Sequence, residues 1–257
     1  MTIRPLIQSL VCSAVLALCS VAASASGLRV SSATFVGNPQ RIVVDLVNDT
    51  HKPITAYMVE VTVTSRGAVV SNFGFGEDDL DSVVSGRVSG AADSWAGAIL
   101  PMATFEKTLP EKIPNIEPAD AKVTVEVKAV LYSDGSADGD PATIQLWRKG
   151  RETSASVDGK IVSILVDHAE DKDIKQRVSA ITQAIDALKN PGCSQIKDAN
   201  GNASGTNCSD PRRFQAEQAN LHIFQESPNP KAALDAYTKY RVKAQKIRLA
   251  LIQSATD

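Results

Sequence analysis

The residues with the clearest chemical spacing are Asp134, Ser136 and Asp138. They put an oxygen-bearing side chain at every second position of Asp134-Gly135-Ser136-Ala137-Asp138-Gly139-Asp140. Hard divalent cations favour oxygen-only donor sets, and a glycine after the third oxygen permits a sharp turn, so the run is a candidate for weak calcium binding. Where a calcium loop ends in a bidentate glutamate, this chain has Gln145, and Pro141 falls inside the loop. The same residues also suit a glycine-rich turn leaving a strand, with Asp140 capping the helix that follows. That role needs no metal.

A second pair with chemical meaning is Cys193 and Cys208, which flank a polar stretch containing Asp198-Ala199-Asn200-Gly201-Asn202-Ala203-Ser204-Gly205. Their spacing is far from that of a redox C-x-x-C pair, so the expected role is a disulfide that staples an otherwise loose loop. Closing a loop of about 15 residues is worth roughly 3 kcal/mol in the chain-entropy model. Beyond these, the sequence contains no H-E-x-x-H, G-x-S-x-G or Walker motif, and Gly74-Phe75-Gly76 lacks the third glycine of a nucleotide fingerprint. His51, His168 and His222 are far apart, with no ligating partner at metal spacing. No catalytic residue and no cofactor other than calcium is expected. An envelope enzyme with its site between the two parts of the chain stays open, because carboxylates distant in sequence can meet in space.

The elements that position these residues follow from composition and periodicity. With 257 residues, 43% of them hydrophobic and 22% charged, the chain has enough apolar material for one domain, or for a medium domain and a small one. A net charge of −2 excludes the basic excess of a nucleic-acid binder. Residues 1–25 read as a secretory signal: Arg4 is the only charge, Leu6 to Val21 is mostly apolar, and Ala23-Ser24-Ala25 supplies the small-x-small cleavage pattern. After processing, no segment is long and apolar enough to span a membrane.

From Gly27 to about Tyr132 the hydrophobic period is two, with strands expected at Arg41–Asn48, Ile54–Thr64, Ala103–Leu109 and Lys122–Tyr132. The segment Gly74–Gly97, with Glu77, Asp78, Asp79, Asp81 and Asp93 among glycines and serines, reads as a long loop or a loosely formed insertion between two strands. Beyond Asp140 the period changes to that of helices. A first helix opens at Pro141 and reaches Trp147, with a second over Lys160–His168. Ile174, Val178, Ile181, Ile185 and Leu188 form one stripe of the next helix. Further helices open at Asp210-Pro211 and after Ser227-Pro228-Asn229-Pro230, the last with a basic outer face at Lys239, Lys243 and Lys246. The acidic Gly74–Asp93 stretch is a conceivable intramolecular counterpart for its cations. The expected fold is α+β: an antiparallel immunoglobulin-like β-sandwich over residues 26–140, then a small helical bundle with its stapled loop over 141–257.

The combination of Asn48-Asp49, Lys52-Pro53-Ile54-Thr55-Ala56-Tyr57, Leu100-Pro101 before Ala103-Thr104, and Val130-Leu131-Tyr132-Ser133-Asp134-Gly135-Ser136 ending in Gly139-Asp140 resembles exported bacterial proteins with an immunoglobulin-like sandwich. The resemblance covers roughly Arg29 to Asp140, and its motifs are structural. It implies a cell-envelope location, periplasmic or extracellular, and no established activity. The functional expectation is an exported binding or structural module that engages another protein or envelope component, with calcium-dependent adhesion as a further possibility. The oligomeric state is open.

Overall fold

The computed structural model describes residues 27–37, 40–89, 97–109, 116–170, 173–188, 194–197, 203–207 and 211–254. The expected signal at 1–25 and both Cys193 and Cys208 lie outside the described residues. In chain order the elements are β1 (Leu28–Gly37), β2 (Gln40–Asn48), β3 (Ile54–Ser65), β4 (Ala68–Asp78), α1 (Leu80–Val88), β5 (Thr104–Leu109), β6 (Ala121–Tyr132) and β7 (Ala137–Gly139). Then follow α2 (Pro141–Asp167), α3 (Ile174–Ala187), β8 (Ser194–Lys197), β9 (Ala203–Asn207), α4 (Pro211–Glu226) and α5 (Pro230–Gln253). The architecture is α+β, with two antiparallel sheets in the orders β1-β2-β5 and β4-β3-β6-β7, a small β8-β9 ladder, and five helices among the described residues.

Strand alternation builds the first core. Ile42, Val44 and Leu46 from one sheet share a cluster with Tyr57, Val59, Val61 and Val63 from the other, each at most 1% exposed. β3 and β4 are joined by Arg66 and Gly67, both at positive φ (51° and 82°), the two-residue turn whose twist matches that of the strands it connects. At the opposite end of β3 the alternation fails: Ile54, Thr55, Ala56 and Tyr57 are all buried. Helices cover the outer face of the sheet there, so both faces are dry. Arg151 of α2 donates to Thr55 Oγ1 (3.0 Å), and Thr55 Oγ1 in turn donates to the Leu131 carbonyl (3.1 Å).

A second core gathers Val157, Ile161 and Leu165 of α2, Val178, Ile181 and Ile185 of α3, Leu221 of α4 and Leu234 of α5. The α3 stripe is the one expected from its spacing. A third, smaller core packs Leu80, Val83, Val84 and Val88 of α1 against Leu251 of α5.

Four expectations need correction. Gly74–Gly97 is not a loop throughout: Gly74–Asp78 completes β4, and Leu80–Val88 is α1. Its buried face, Leu80, Val83, Val84 and Val88, has helical spacing that the surrounding acids and glycines obscure. The two helices expected between Pro141 and His168 are one helix, because tertiary contacts hold it at both ends, Arg151 to the sheet and Val157, Ile161 and Leu165 in the second core, and carry it through Gly150 and Gly159 despite their low propensity. The stretch between the cysteines is a hairpin ladder over β8 and β9. Finally, α5 is not basic only on the outside. Lys239, Lys243 and Lys246 are exposed, but Arg248 is buried and Arg241 largely so. The acidic stretch does supply one partner, since Arg248 Nη1 contacts Asp81 Oδ1.

No helix among the described residues is long and apolar enough to cross a membrane, which says nothing of crossing by strands.

Candidate functional site

Sheet edges expose unpaired backbone groups, and natural sheets blunt them with bulges, short strands, proline or charge. Three of the four edges here are treated in that way. β1 has a register shift between Val30 and Ser32, β5 has six residues and carries Glu106 and Lys107, and β7 has three. β4 is different. It pairs only with β3 among the described residues, and Ser71–Asp78 runs in unbroken register with Val63–Ala56. From Ala68 to Gly76 it contains no proline and no charge.

Along this edge Ser71, Phe73, Phe75 and Glu77 are half-buried, while Asn72, Gly74, Gly76 and Asp78 lie on the exposed face. Val69 and Val70, next to the hairpin turn, are 62% and 43% exposed. The two glycines have different causes. A Cβ on Gly76 would lie 2.6 Å from the Tyr57 carbonyl oxygen, so this chain itself requires glycine there. A Cβ on Gly74 would meet only Met58 Sδ, at 3.7 Å, an ordinary contact. Glycine inside a strand often marks a close approach by another backbone.

Charge gathers where β4 ends. Arg151 of α2, 7% exposed, holds Asp78 through Nε (3.2 and 3.0 Å to the two carboxylate oxygens) and Nη2 (2.7 Å). Glu77 accepts from Tyr57 OH at 3.0 Å and pairs with Lys107, whose ammonium also lies 5.4 Å from the Phe75 ring centre. Asp79 is left as the destabilised member: burial, then the Glu77 and Asp78 charges, push its pKa up to about 6. A carboxyl raised above its unfolded 3.8 keeps its proton in the folded state longer than in the unfolded state. Its contribution therefore lowers stability as pH rises from about 4 to about 6. Asp79→Asn should remove that slope. In urea titrations the variant should match the wild type at pH 4 and exceed it at pH 7, by about 1 kcal/mol after solvent screening is allowed for.

A separate cleft of about 230 Å³ lies where α1, α2, α4 and α5 meet. Asp158 of α2 sits between two guanidinium groups, with Oδ1 3.2 Å from Arg241 Nη2 and Oδ2 3.0 Å from Arg248 Nε. The Arg248 Nε–H is not directed at that oxygen, so this contact is an ion pair rather than a hydrogen bond. Arg241 Nη1 also meets Glu217 Oε1 at 2.6 Å, and Tyr237 OH donates to Glu217 Oε2. Burial raises the Glu217 pKa, against the opposing pull of Arg241. Every carboxylate on this wall has a guanidinium partner. Sequence spacing showed none of these meetings, because each joins different helices.

Of the oxygens proposed for calcium, Asp134 and Ser136 meet in the β6–β7 turn, while Asp138 stands in β7, and all have partners. Asp134 Oδ1 accepts from Ser136 N (3.0 Å) and Ser136 Oγ (2.6 Å), and its Oδ2 lies 2.7 Å from the Lys52 ammonium. Asp138 Oδ2 accepts from Tyr132 OH at 2.7 Å. A lysine ammonium already neutralises the turn, and no cluster of three or more metal-ligating His, Cys, Asp or Glu residues occurs among the described residues. In this arrangement the Asp134 and Asp138 carboxylates are engaged by Ser136, Lys52 and Tyr132. Gly139 (φ 102°) fills the close approach to the Lys128 carbonyl, and Asp140 Oδ2 accepts from Thr143 N at 2.9 Å as the cap of α2. Millimolar calcium should therefore give no heat and no change in melting temperature, whereas Asp140→Ala should cost about 1 kcal/mol.

For the cysteines, the neighbouring ladder is informative. Its outermost pair, Ser194 with Asn207, consists of the residue after Cys193 and the residue before Cys208. Unreduced peptide mapping of the protein from an oxidising compartment should recover the two cysteines linked, and free thiols at both would refute the staple.

No protein-family model and no curated protein matches the chain. Among solved structures, it is similar to a hypothetical protein from Peptoclostridium difficile 630 at 15% identity, over 48% of this chain and 90% of that one, with a TM-score of 0.30.

Proposed function

We propose that the protein is an exported cell-envelope binding module, an immunoglobulin-like β-sandwich braced by a small helical bundle, which engages an extended segment of a protein at the outer edge of β4. The single observation that supports this is the unprotected edge: regular from Ser71, uncharged to Gly76, and flanked by exposed Val69 and Val70. An added strand would satisfy the edge's backbone groups, and its alternate side chains would supply selectivity. Affinity capture from envelope extracts tests this with two baits, the processed chain and its Val70→Lys/Gly74→Lys variant. A protein retained by the first and lost by the second is the expected result, and identical retention by both overturns the reading. The ionisable cleft favours the alternative, an envelope enzyme, but the pairing of its carboxylates with arginines gives it a bracing role instead.

A further inference from the structure

The occupant of the β4 edge can be argued from the edge's own sequence. We infer that β4 pairs antiparallel with β4 of a second copy of this chain, about a two-fold axis through Gly74, an inference that rests on β4 being the binding edge. A two-fold interface must be complementary to itself, and any residue placed in it meets a fixed partner. Around Gly74 the segment Asn72-Phe73-Gly74-Phe75-Gly76 is nearly symmetric. Phe73 then stands opposite the partner's Phe75, and Phe75 opposite the partner's Phe73, two aromatic cross-strand pairs on the half-buried face. On the exposed face Gly74 meets the partner's Gly74, and Asn72 meets the partner's Gly76, so no side chains collide.

Charge fits the same register. Glu77 is the only charged residue from Ser71 to Glu77, and it falls opposite the Ser71 hydroxyl of the partner rather than another carboxylate. Shifting the axis by a full pleat toward Asn72 draws the irregularity at Val70 into the paired segment. An axis at Gly76 sets Glu77 opposite the partner's Phe75 and lays the Leu80 helix start over the partner's strand. A centre at Gly74 keeps the pairing within the regular strand; a centre at Phe75 does so too, but it sets Glu77 opposite the partner's Phe73 and Asp78 opposite the partner's Asn72. The Gly74 centre also explains why position 74 is glycine when nothing in its own chain requires it. A foreign strand would impose no such symmetry.

Sedimentation velocity on the processed chain, from low to high micromolar concentration, should give twice the monomer mass. Gly74→Lys places two like charges face to face across the axis, and the variant should sediment as a monomer with unchanged circular dichroism. Gly74→Cys should form a reducible dimer on mild oxidation, whereas Asn72→Cys, which faces the partner's Gly76, should not. A wild-type monomer throughout, or a dimer indifferent to Gly74→Lys with no preferential cross-link at position 74, overturns the inference. A monomer that still shows edge-dependent capture removes the second copy as occupant and leaves the binding edge standing. A monomer without such capture removes both.

Discussion

Arg151→Ala will destabilise the protein by about 3–5 kcal/mol, the cost of breaking a buried ion pair by deleting one member. The guanidinium is 7% exposed and joins α2 to β4 through Asp78 and to β3 through Thr55. Its loss strands the Asp78 carboxylate, itself 28% exposed, between Glu77 and Asp79. Urea denaturation measures the effect, and a double-mutant cycle identifies its source. In an Asp78→Ala background the same arginine replacement should cost much less, because no carboxylate is left without its cation. An equal cost in both backgrounds would mean that Arg151 acts through packing alone.

Asp158→Ala should cost about 3 kcal/mol for a related reason: it removes the carboxylate that two guanidinium groups share. The figure is smaller than for Arg151 because Arg241 keeps Glu217 and Arg248 keeps Asp81. Asp158→Asn preserves the size and the hydrogen-bonding oxygen while removing the charge. Its stability should fall between the wild type and the alanine variant in the same titration. If asparagine proves neutral, the charge of Asp158 contributes nothing and shape accounts for the conservation of packing.

What could be read from the residues was whatever repeats locally. The alternation of Val59, Val61 and Val63 and the four-three spacing of Ile174, Val178, Ile181 and Ile185 translate directly into buried faces. Asp140 before Pro141 marks a helix start, and Asp140 Oδ2 does bind Thr143 N. Features made by distant segments were hidden. Arg177 sits on the polar side of a sequence pattern, yet it is fully buried with Nη1 2.6 Å from Asp235 of α5. Arg151, Arg241 and Arg248 look like solvated cations until the helices meet. The edge character of β4 was equally out of reach, since strand order depends on which strands pair and not on what one strand contains. The helix α1 itself is legible in the spacing of Leu80, Val83, Val84 and Val88, although the acids and glycines around it obscure that face.

The unbroken course of α2 has a mechanical consequence. At 27 residues it is about 40 Å long, a single spar with both ends clamped. Asp140, Arg148 and Arg151 fasten its first turns to the sheet and its β6–β7 turn, through the Lys128 carbonyl, the Gly135 carbonyl and Asp78. Val157, Ile161 and Leu165 embed its last turns among α3, α4 and α5. There is no joint at which the strand half and the helix half can swing apart, so a load applied to one is borne by the other. Because the spar enters both halves, calorimetry should show one melting transition rather than two, and two resolved transitions would show that the halves unfold separately.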